Sequence, residues 1–140
     1  MRLSFACFLL LFATVSSVNG PYRNFINQHI NGGMLENRCD QVIGSRGITV
    51  ADSNRCKETN TFIRATTNHI TRICVSAGEP YGVLTKSLQP FDIVICRLRN
   101  QGASRPHCQY RGQSRTRRIA IRCEGGLPVH YGGDIVYFDN

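Results

Sequence analysis

The sequence lacks several features that define other classes of protein. It has no internal repeat, no low-complexity tract and, after its first twenty residues, no long apolar run. No Cys-x-x-Cys pair occurs, which argues against a zinc site. Lysine is scarce, since Lys57 and Lys86 are the two lysines among 17 cationic residues. These absences argue against repeat and membrane-spanning architectures and favour a single soluble domain.

The first twenty residues have the layout of a secretory signal peptide. Arg2 precedes an apolar run over residues 3–15, and small residues follow it. The run is too short to span a bilayer comfortably. We therefore expect residues 1–20 to be removed, with the exact cleavage point left open, and residues 21–140 to form one secreted domain.

The charge balance predicts a polyanionic partner. The formal net charge is +8, and loss of Arg2 with the signal peptide leaves +7. Nearly all of the cations are arginines, whose guanidinium groups pair with phosphate in a bidentate fork. Nucleic acid, an anionic bacterial membrane and a sulfated glycan all fit this charge, and so does a generally basic secreted protein with no such partner.

The cysteines that follow the signal peptide predict disulfide bonds. An even number of widely spaced cysteines in a secreted chain indicates three disulfides. Six cysteines allow 15 connectivities, and their spacing does not choose among them. The six are Cys39, Cys56, Cys74, Cys96, Cys108 and Cys123.

Helical and strand-like patterns occupy different parts of the chain. Helices are predicted within residues 21–30, 34–43 and 66–75, and the second places Leu35, Cys39 and Val42 on one side. A break at Gly78-Glu79-Pro80 separates them from strand-like segments, which are residues 82–88, 91–99, 117–123 and 128–133. Helices first and strands later predict an α+β domain with an antiparallel sheet stapled by the disulfides.

Two histidines and one lysine suggest a reaction. Cleaving RNA without a metal requires a base for the 2′-hydroxyl proton, an acid for the departing 5′-oxygen and a cation beside the phosphorus. His29, His130 and Lys57 have the side chains for these roles. Taken singly each histidine is more often structural than catalytic, and His69 and His107 keep that interpretation.

Three short motifs carry a family resemblance. "RCKETNTF" at 55–62 resembles the Cys-Lys-x-x-Asn-Thr-Phe signature of the pancreatic ribonuclease superfamily. "FINQHI" at 25–30 resembles the first-helix motif of that family, and "CEGGLPVHY" at 123–131 resembles its C-terminal segment. With six cysteines rather than eight, the chain resembles the angiogenin branch and the non-mammalian secreted ribonucleases. The resemblance implies a ribonuclease A-like fold of three helices packed on a bent antiparallel sheet.

The resemblance also implies disulfides and catalytic roles. The implied pairs are Cys39–Cys96, Cys56–Cys108 and Cys74–Cys123, and the second would anchor the backbone beside Lys57. His29 becomes the general base, His130 the general acid and Lys57 the cation that stabilises the transition state.

Five further residues are implied to contact or support the substrate. Gln28 would touch the phosphate, and Thr61 would read a pyrimidine through its backbone N–H and its hydroxyl. Asn60 would support the backbone of the site. Tyr131 would flank the pyrimidine pocket, and Glu124 would face the second base.

Several positions depart from the family pattern. Relatives usually carry an aspartate two residues after the catalytic acid, where this chain has Gly132, and Asp134 is left open as a substitute. An imidazole that is not held takes a wider range of poses, so reduced activity is expected. In mammalian angiogenin a glutamine blocks the pyrimidine pocket at the position where this chain has Gly133. That block is absent here, but the apolar residues 135–138 could fold over the pocket instead. The basic segment 115–118 is either a solvated strand edge or a binding surface.

These observations predict a secreted, metal-independent endoribonuclease without a cofactor. It would cleave single-stranded RNA 3′ of pyrimidines to a 2′,3′-cyclic phosphate, with lowered activity and an angiogenic or host-defence role. The protein is expected to be a monomer. The alternative is a cationic antimicrobial protein that acts on bacterial membranes independently of catalysis. A cell-surface receptor is a further candidate partner.

Overall fold

The computed structural model describes residues 19–136. Helix α1 occupies residues 19–29, and a 3-10 turn at Glu36–Arg38 leads directly into α2 at Cys39–Ser45. Helix α3 spans Thr67–Thr71 and continues as a 3-10 turn at Arg72–Cys74. The predicted signal peptide lies almost wholly outside the described residues. No helix within residues 19–136 is long and apolar enough to cross a membrane.

Six strands form a single antiparallel sheet. The strand order is β1-β4-β5-β3-β2, and β6 pairs with β5. The first part of β5 pairs with β4, and its second part pairs with both β3 and β6. The strands are β1 (Thr59–Ile63), β2 (Gly78–Tyr81), β3 (Leu84–Ser87), β4 (Phe91–Leu98), β5 (Tyr110–Glu124) and β6 (Leu127–Ile135). The α+β class predicted from the sequence is confirmed.

The sequence patterns did not predict strands β1 and β2, and the predicted position of one residue, Leu35, on the buried face of a helix was wrong. In β1 four of the five residues are buried, so the strand shows no alternation of polar and apolar residues. Strand β2 contains Pro80, which an edge strand tolerates because it needs no N–H on its open side. Leu35 precedes the 3-10 turn and is 48% exposed, so it does not share the buried face of Cys39 and Val42.

The core consists of two apolar clusters. One packs α1 and α3 around isoleucines of β1, β4 and β5, and the other packs α2 around Phe62 and Val94. Burial of one such side chain contributes about 1.5–3 kcal/mol. An isolated bridge joins Ile30, directly after α1, to Ile63 of β1, and Asn31 N–H donates to the Ile63 carbonyl at 3.1 Å. Helix α1 is therefore held against β1.

Three disulfides tie these layers together. They join Cys39 to Cys96, Cys56 to Cys108 and Cys74 to Cys123, which are the pairs implied by the family resemblance. The bridges close loops of 57, 52 and 49 residues. Loops of this length correspond to about 4 kcal/mol each in the chain-entropy account.

Candidate active site

The imidazole of His29 lies on the last turn of α1 and is almost completely buried, with 8% of its surface exposed. Its Nδ1 lies 2.8 Å from the main-chain oxygen of Thr61. A carbonyl oxygen only accepts hydrogen bonds, so Nδ1 carries the proton and donates it. In the neutral ring Nε2 is then an acceptor. The bond between α1 and β1 thus selects the tautomer that a general base requires.

The surroundings of His29 favour its neutral form. Burial lowers the pKa of His29 from 6.5 to about 4, which the hydrogen bond to Thr61 partly offsets. Electrostatic effects of Lys57 and His130 are smaller causes of the same lowering of the pKa, so both side chains act on the ring. The rings of Phe25 and Tyr131 lie against it at centroid distances of 5.4 and 5.0 Å.

Lys57 is held at both its backbone and its ammonium group. The preceding Cys56 is bridged to Cys108, and the Tyr110 hydroxyl donates to the Lys57 carbonyl at 2.6 Å. The Lys57 Nζ donates to Asn60 Oδ1 at 2.9 Å and to Gln28 Oε1 at 3.2 Å. Both acceptors are neutral amides, and burial lowers the pKa of Lys57. No carboxylate pairs with this cation among the described residues, so its charge is available to an anion.

Asn60 and Gln28 connect the lysine to α1. Asn60 is 2% exposed, and its Nδ2 donates to the Gln28 carbonyl at 2.8 Å. The Oε1 atom of Gln28 accepts from Lys57, so the amide nitrogen of Gln28 is the free end of this side chain. The network therefore presents one ammonium and one amide N–H₂ group side by side.

Tyr131 and Thr61 border the same space. The phenol ring of Tyr131 stacks on His29 with an interplanar angle of 27°. Its hydroxyl is buried and forms no hydrogen bond within residues 19–136, and the Thr61 side chain lies close enough to oppose the rise in the pKa of Tyr131. Burial, assisted by the charge of Asp134, raises the pKa of Tyr131 well above its usual range.

His130 differs from His29 in being exposed. It lies on β6 opposite Arg122 of β5. No side-chain hydrogen bond holds its ring within the part of the chain that the structure describes. Asp134 does not take the place of the missing aspartate, because its carboxylate accepts from Arg117 Nη1 at 2.7 Å. The sequence left open whether Asp134 could orient the imidazole of His130, and in the structure this carboxylate pairs with an arginine instead.

Glu124 lies at the far end of β5, where the chain turns into β6. Its carboxylate lies 3.4 Å from Arg122 Nε, and both side chains are about half exposed. Arg122 is the cross-strand neighbour of His130, so the ion pair flanks that imidazole. An exposed pair of this kind contributes little to stability. Glu124 is therefore paired with the arginine that lies opposite His130.

Two contributors to the site were missed by sequence reasoning. Tyr110 holds the Lys57 carbonyl from 53 residues away, and Arg122 of β5 lies opposite His130 on the neighbouring strand β6. No local pattern marks either residue, since both contacts arise from the register of β5. The remaining histidines stay apart from the site: His69 packs on Phe91, and His107 is exposed in a loop.

The assembled groups suit a phosphate with a neighbouring hydroxyl. A proton acceptor, a fixed cation, an amide donor and a second imidazole surround one region, and an open cleft of about 580 Å³ adjoins Gln28 and Lys57. The cleft is bounded by α1 and by residues 47–52. Within residues 19–136, no cluster of three histidine, cysteine or carboxylate side chains could hold a metal ion.

Comparisons with known proteins agree with this geometry. The family described as "Pancreatic ribonuclease" matches residues 20–132. The chain is 38% identical to "Ribonuclease-like 3" of Danio rerio, over 91% of this chain and 92% of that one. It is 36% identical to "Angiogenin" of Rhinopithecus avunculus, over 93% and 94%. The crystal structure of zebrafish RNase5 superposes with a TM-score of 0.81 at 46% identity, over 83% of this chain and 95% of that one.

Proposed function

This chain belongs to the pancreatic ribonuclease family and is an angiogenin-like endoribonuclease, and we propose that it cleaves single-stranded RNA on the 3′ side of pyrimidines by transphosphorylation. The observation that carries the proposal is the hydrogen bond from His29 Nδ1 to the Thr61 carbonyl. It leaves Nε2 as an acceptor beside a fixed cation, Lys57. A base and a cation in that arrangement are what an attacking 2′-hydroxyl needs.

The proposed reaction has two proton transfers. His29 Nε2 takes the proton of the 2′-hydroxyl as that oxygen attacks phosphorus. The bond from phosphorus to the 5′-oxygen breaks, and His130 gives that oxygen a proton, which leaves a 2′,3′-cyclic phosphate and a free 5′-hydroxyl. Lys57 and the Gln28 amide face the non-bridging oxygens, where negative charge builds up. Slow hydrolysis of the cyclic phosphate follows with the histidine roles exchanged.

The preference for a pyrimidine rests on Thr61. Its backbone and hydroxyl offer a donor and a group that either donates or accepts, which matches the edges of both uracil and cytosine. Tyr131 borders this pocket, and its ring orients His29 by stacking. Asn60 positions Lys57, and Glu124 faces the base on the 3′ side of the cleaved bond.

We expect catalysis to be slower than in a site with a held imidazole. His130 is exposed, Gly132 offers no side chain, and Asp134 is engaged by Arg117. A mobile imidazole spends less time aligned with the leaving oxygen. The two histidines therefore differ in preorganisation, and the acid rather than the base limits the rate.

The proposal extends to secretion and to the physiological role. Three disulfides suit an extracellular protein, and we infer that residues 1–20 are a removed signal peptide and that the mature chain is a monomer. Similarity to angiogenins favours an angiogenic or host-defence role. The alternative remains a cationic antimicrobial protein acting on bacterial membranes, because exposed arginines such as Arg111 and Arg115 have no acidic partner within residues 19–136.

The proposal is tested by comparing the refolded mature protein with its His130→Ala variant. Uridylyl-adenosine and transfer RNA serve as substrates, with EDTA present. Cleavage by the parent and loss of at least a hundredfold in the variant are expected. Equal activity of the two proteins, or abolition by EDTA alone, would reject the two-histidine mechanism. If the variant still kills bacteria, that result would support the antimicrobial alternative as a separate activity.

A further inference from the structure

The guanidinium group of Arg46 lies against the end of α1. Its Nη1 donates to the carbonyls of Asn27 and Ile30 at 2.8 Å each, and the Ile26 carbonyl lies 3.5 Å from the same atom. Asn27 returns a hydrogen bond, because its Nδ2 donates to the main-chain oxygen of Arg46 at 3.2 Å. Arg46 directly follows α2, and its own N–H donates to the Val42 carbonyl. The residue therefore connects the ends of two helices.

These contacts fall on the turn of α1 that carries His29. The last carbonyls of a helix have no partner within the helix and take donors from elsewhere. In α1 the Asn27 carbonyl accepts from Arg46. The next carbonyl, that of Gln28, accepts from Asn60 of β1 at 2.8 Å. Two side chains from other elements therefore cap the turn that carries the imidazole, and a cation is favoured at this negative end of the helix dipole.

Arg46 also contacts β1, the strand that supplies the hydrogen-bond partner of His29. Its guanidinium carbon lies 5.7 Å from the centre of the Phe62 ring, and Phe62 is completely buried. A guanidinium group over an aromatic face is attracted to it. Phe62 directly follows Thr61, whose carbonyl accepts from His29 Nδ1. Arg46 thus contacts the chain on both sides of the bond that fixes the tautomer of His29.

The positive charge of Arg46 is directed into the fold. The side chain is partly buried, and burial lowers its pKa. No carboxylate pairs with it in the part of the chain that the structure describes. Its partners are main-chain carbonyls and an aromatic ring, whereas the side chains whose charges act on His29 are Lys57 and His130. The influence of Arg46 on the imidazole therefore runs through geometry.

We propose that Arg46 is a positioning residue for the general base, because its guanidinium group holds the last turn of α1 in register with β1. We call this set of contacts the Arg46 clamp. It keeps His29 bonded to the Thr61 carbonyl and keeps Nε2 aimed at the 2′-hydroxyl. The inference rests on the proposed function, in which His29 takes the proton of that hydroxyl. A catalytic group displaced by about 1 Å can lose about a hundredfold in rate.

The test compares Arg46→Ala with Arg46→Lys and with two matched controls. Arg46→Lys keeps a charge and N–H donors but lacks the planar group that lies over Phe62. Arg64→Ala removes the same charge from an exposed position directly after β1. Val42→Ala removes buried methyl groups at the end of α2 and leaves every donor to α1 in place, so it shows what a loss of stability alone does.

Three measurements are made on each protein. Steady-state rates on uridylyl-adenosine over a range of pH give kcat and KM. NMR titration gives the pKa of the His29 ring, and urea unfolding gives the stability.

Arg46→Ala should lose about tenfold in kcat with little change in KM, because the base is displaced and the binding groups are not. The pKa of His29 should rise from about 4 toward 6.5, since a loosened turn admits water to the ring. The acid limb of the kcat/KM profile should move upward with it. Arg46→Lys should lie between Arg46→Ala and the parent, and both controls should keep the kcat and the His29 pKa of the parent.

A parent-like kcat or an unchanged His29 pKa in Arg46→Ala would overturn the proposal. A loss confined to KM would make Arg46 a substrate-binding cation and would overturn it too. Equal changes in Val42→Ala at an equal loss of stability would leave Arg46 a structural role alone. If Arg46→Ala does not fold, Arg46→Lys decides, and a His29 pKa equal to that of the parent rejects the clamp.

Failure of the proposed function would be seen separately. A parent that does not cleave uridylyl-adenosine would refute that function. The NMR titration of His29 in the Arg46 variants needs no cleavage and would still test the clamp.

Discussion

The Nδ1 atom of His29 and the main-chain oxygen of Thr61 are 2.8 Å apart, in a hydrogen bond that spans 32 residues of sequence. It joins the end of α1 to β1 and fixes the tautomer of a buried imidazole. Because a backbone oxygen is the acceptor, no side-chain substitution at residue 61 removes it. The imidazole of His29, the proposed base, is thus oriented by the fold itself, whereas the exposed imidazole of His130 has no such hydrogen bond within residues 19–136.

Replacement of His29 by alanine should abolish most of the RNA cleavage. Removal of a general base lowers rates by about 10²–10⁴-fold. The matched control is His69→Ala, because His69 is exposed and packs on Phe91 away from the site. Initial rates on uridylyl-adenosine measure the effect, with circular dichroism to check folding. Parent-like cleavage by His29→Ala would remove this residue from the mechanism.

The acid limb of the pH profile should lie well below that of an ordinary histidine. Burial lowers the pKa of His29 to about 4, so the free protein keeps its base neutral down to that pH. We expect log(kcat/KM) on uridylyl-adenosine to fall with acid only below about pH 5. An acid limb at the ordinary histidine value of about 6.5 would contradict the burial of this ring.

Folding stability must be followed over the same pH range. The lowered pKa means that the unfolded chain binds a proton between about pH 6.5 and 4 that the folded chain does not. The contribution of His29 to stability is therefore complete above 6.5 and is lost as the pH falls toward 4. Urea midpoints of the parent and of His29→Gln should converge as the pH is lowered through this range.

Tyr110→Phe should weaken catalysis without changing the pH profile. The variant loses the 2.6 Å hydrogen bond that holds the Lys57 carbonyl, so the ammonium is less well placed at the phosphate. We expect kcat to fall several-fold, and stability to fall by about 1 kcal/mol. Tyr81→Phe, at an exposed tyrosine, is the control. If kcat is unchanged while stability falls, Tyr110 serves the fold alone.

An aspartate at position 132 should raise kcat if Leu84 is shortened at the same time. A Cβ atom at Gly132 would lie 2.5 Å from Leu84 Cδ1, so Gly132→Asp alone must displace that side chain. Gly132 is the extra residue at a register shift between β5 and β6, two positions after His130, and a carboxylate placed there is expected to orient the imidazole. We expect a gain of several-fold in kcat for Gly132→Asp with Leu84→Ala over Leu84→Ala alone. No gain would show that orientation of His130 does not limit the rate.

Tyr131→Phe should raise the melting temperature. The Tyr131 hydroxyl is buried without a partner in the described part of the chain, and such a group costs about 1–3 kcal/mol. The phenylalanine ring keeps the stacking on His29, so cleavage of uridylyl-adenosine should stay within twofold. Scanning calorimetry of the two proteins measures the change. A lower melting temperature would mean that the hydroxyl has a stabilising partner.

Some elements of the fold were predicted from local sequence patterns, and others were not. The α+β class, the helix that carries His29 and the strand that carries His130 were predicted from local patterns, because amphipathic periodicity is a property of neighbouring residues. Strand β1 was missed, although it carries Asn60 and Thr61, because a strand buried on both sides has no alternation. Its place in the site was reached through the family resemblance instead.

The sequence by itself determined the chemistry that is available: two histidines, a scarce lysine beside a cysteine, an excess of arginine and an even set of cysteines. Tertiary structure alone decided which charges are free. Arg117 and Asp134 neutralise each other because the register of β5 with β6 sets them on one face, while Arg111 and Arg115 meet no acid within residues 19–136. Strand register depends on which strand faces are buried and on the turns and bulges between strands, so these pairings become visible only in the folded sheet.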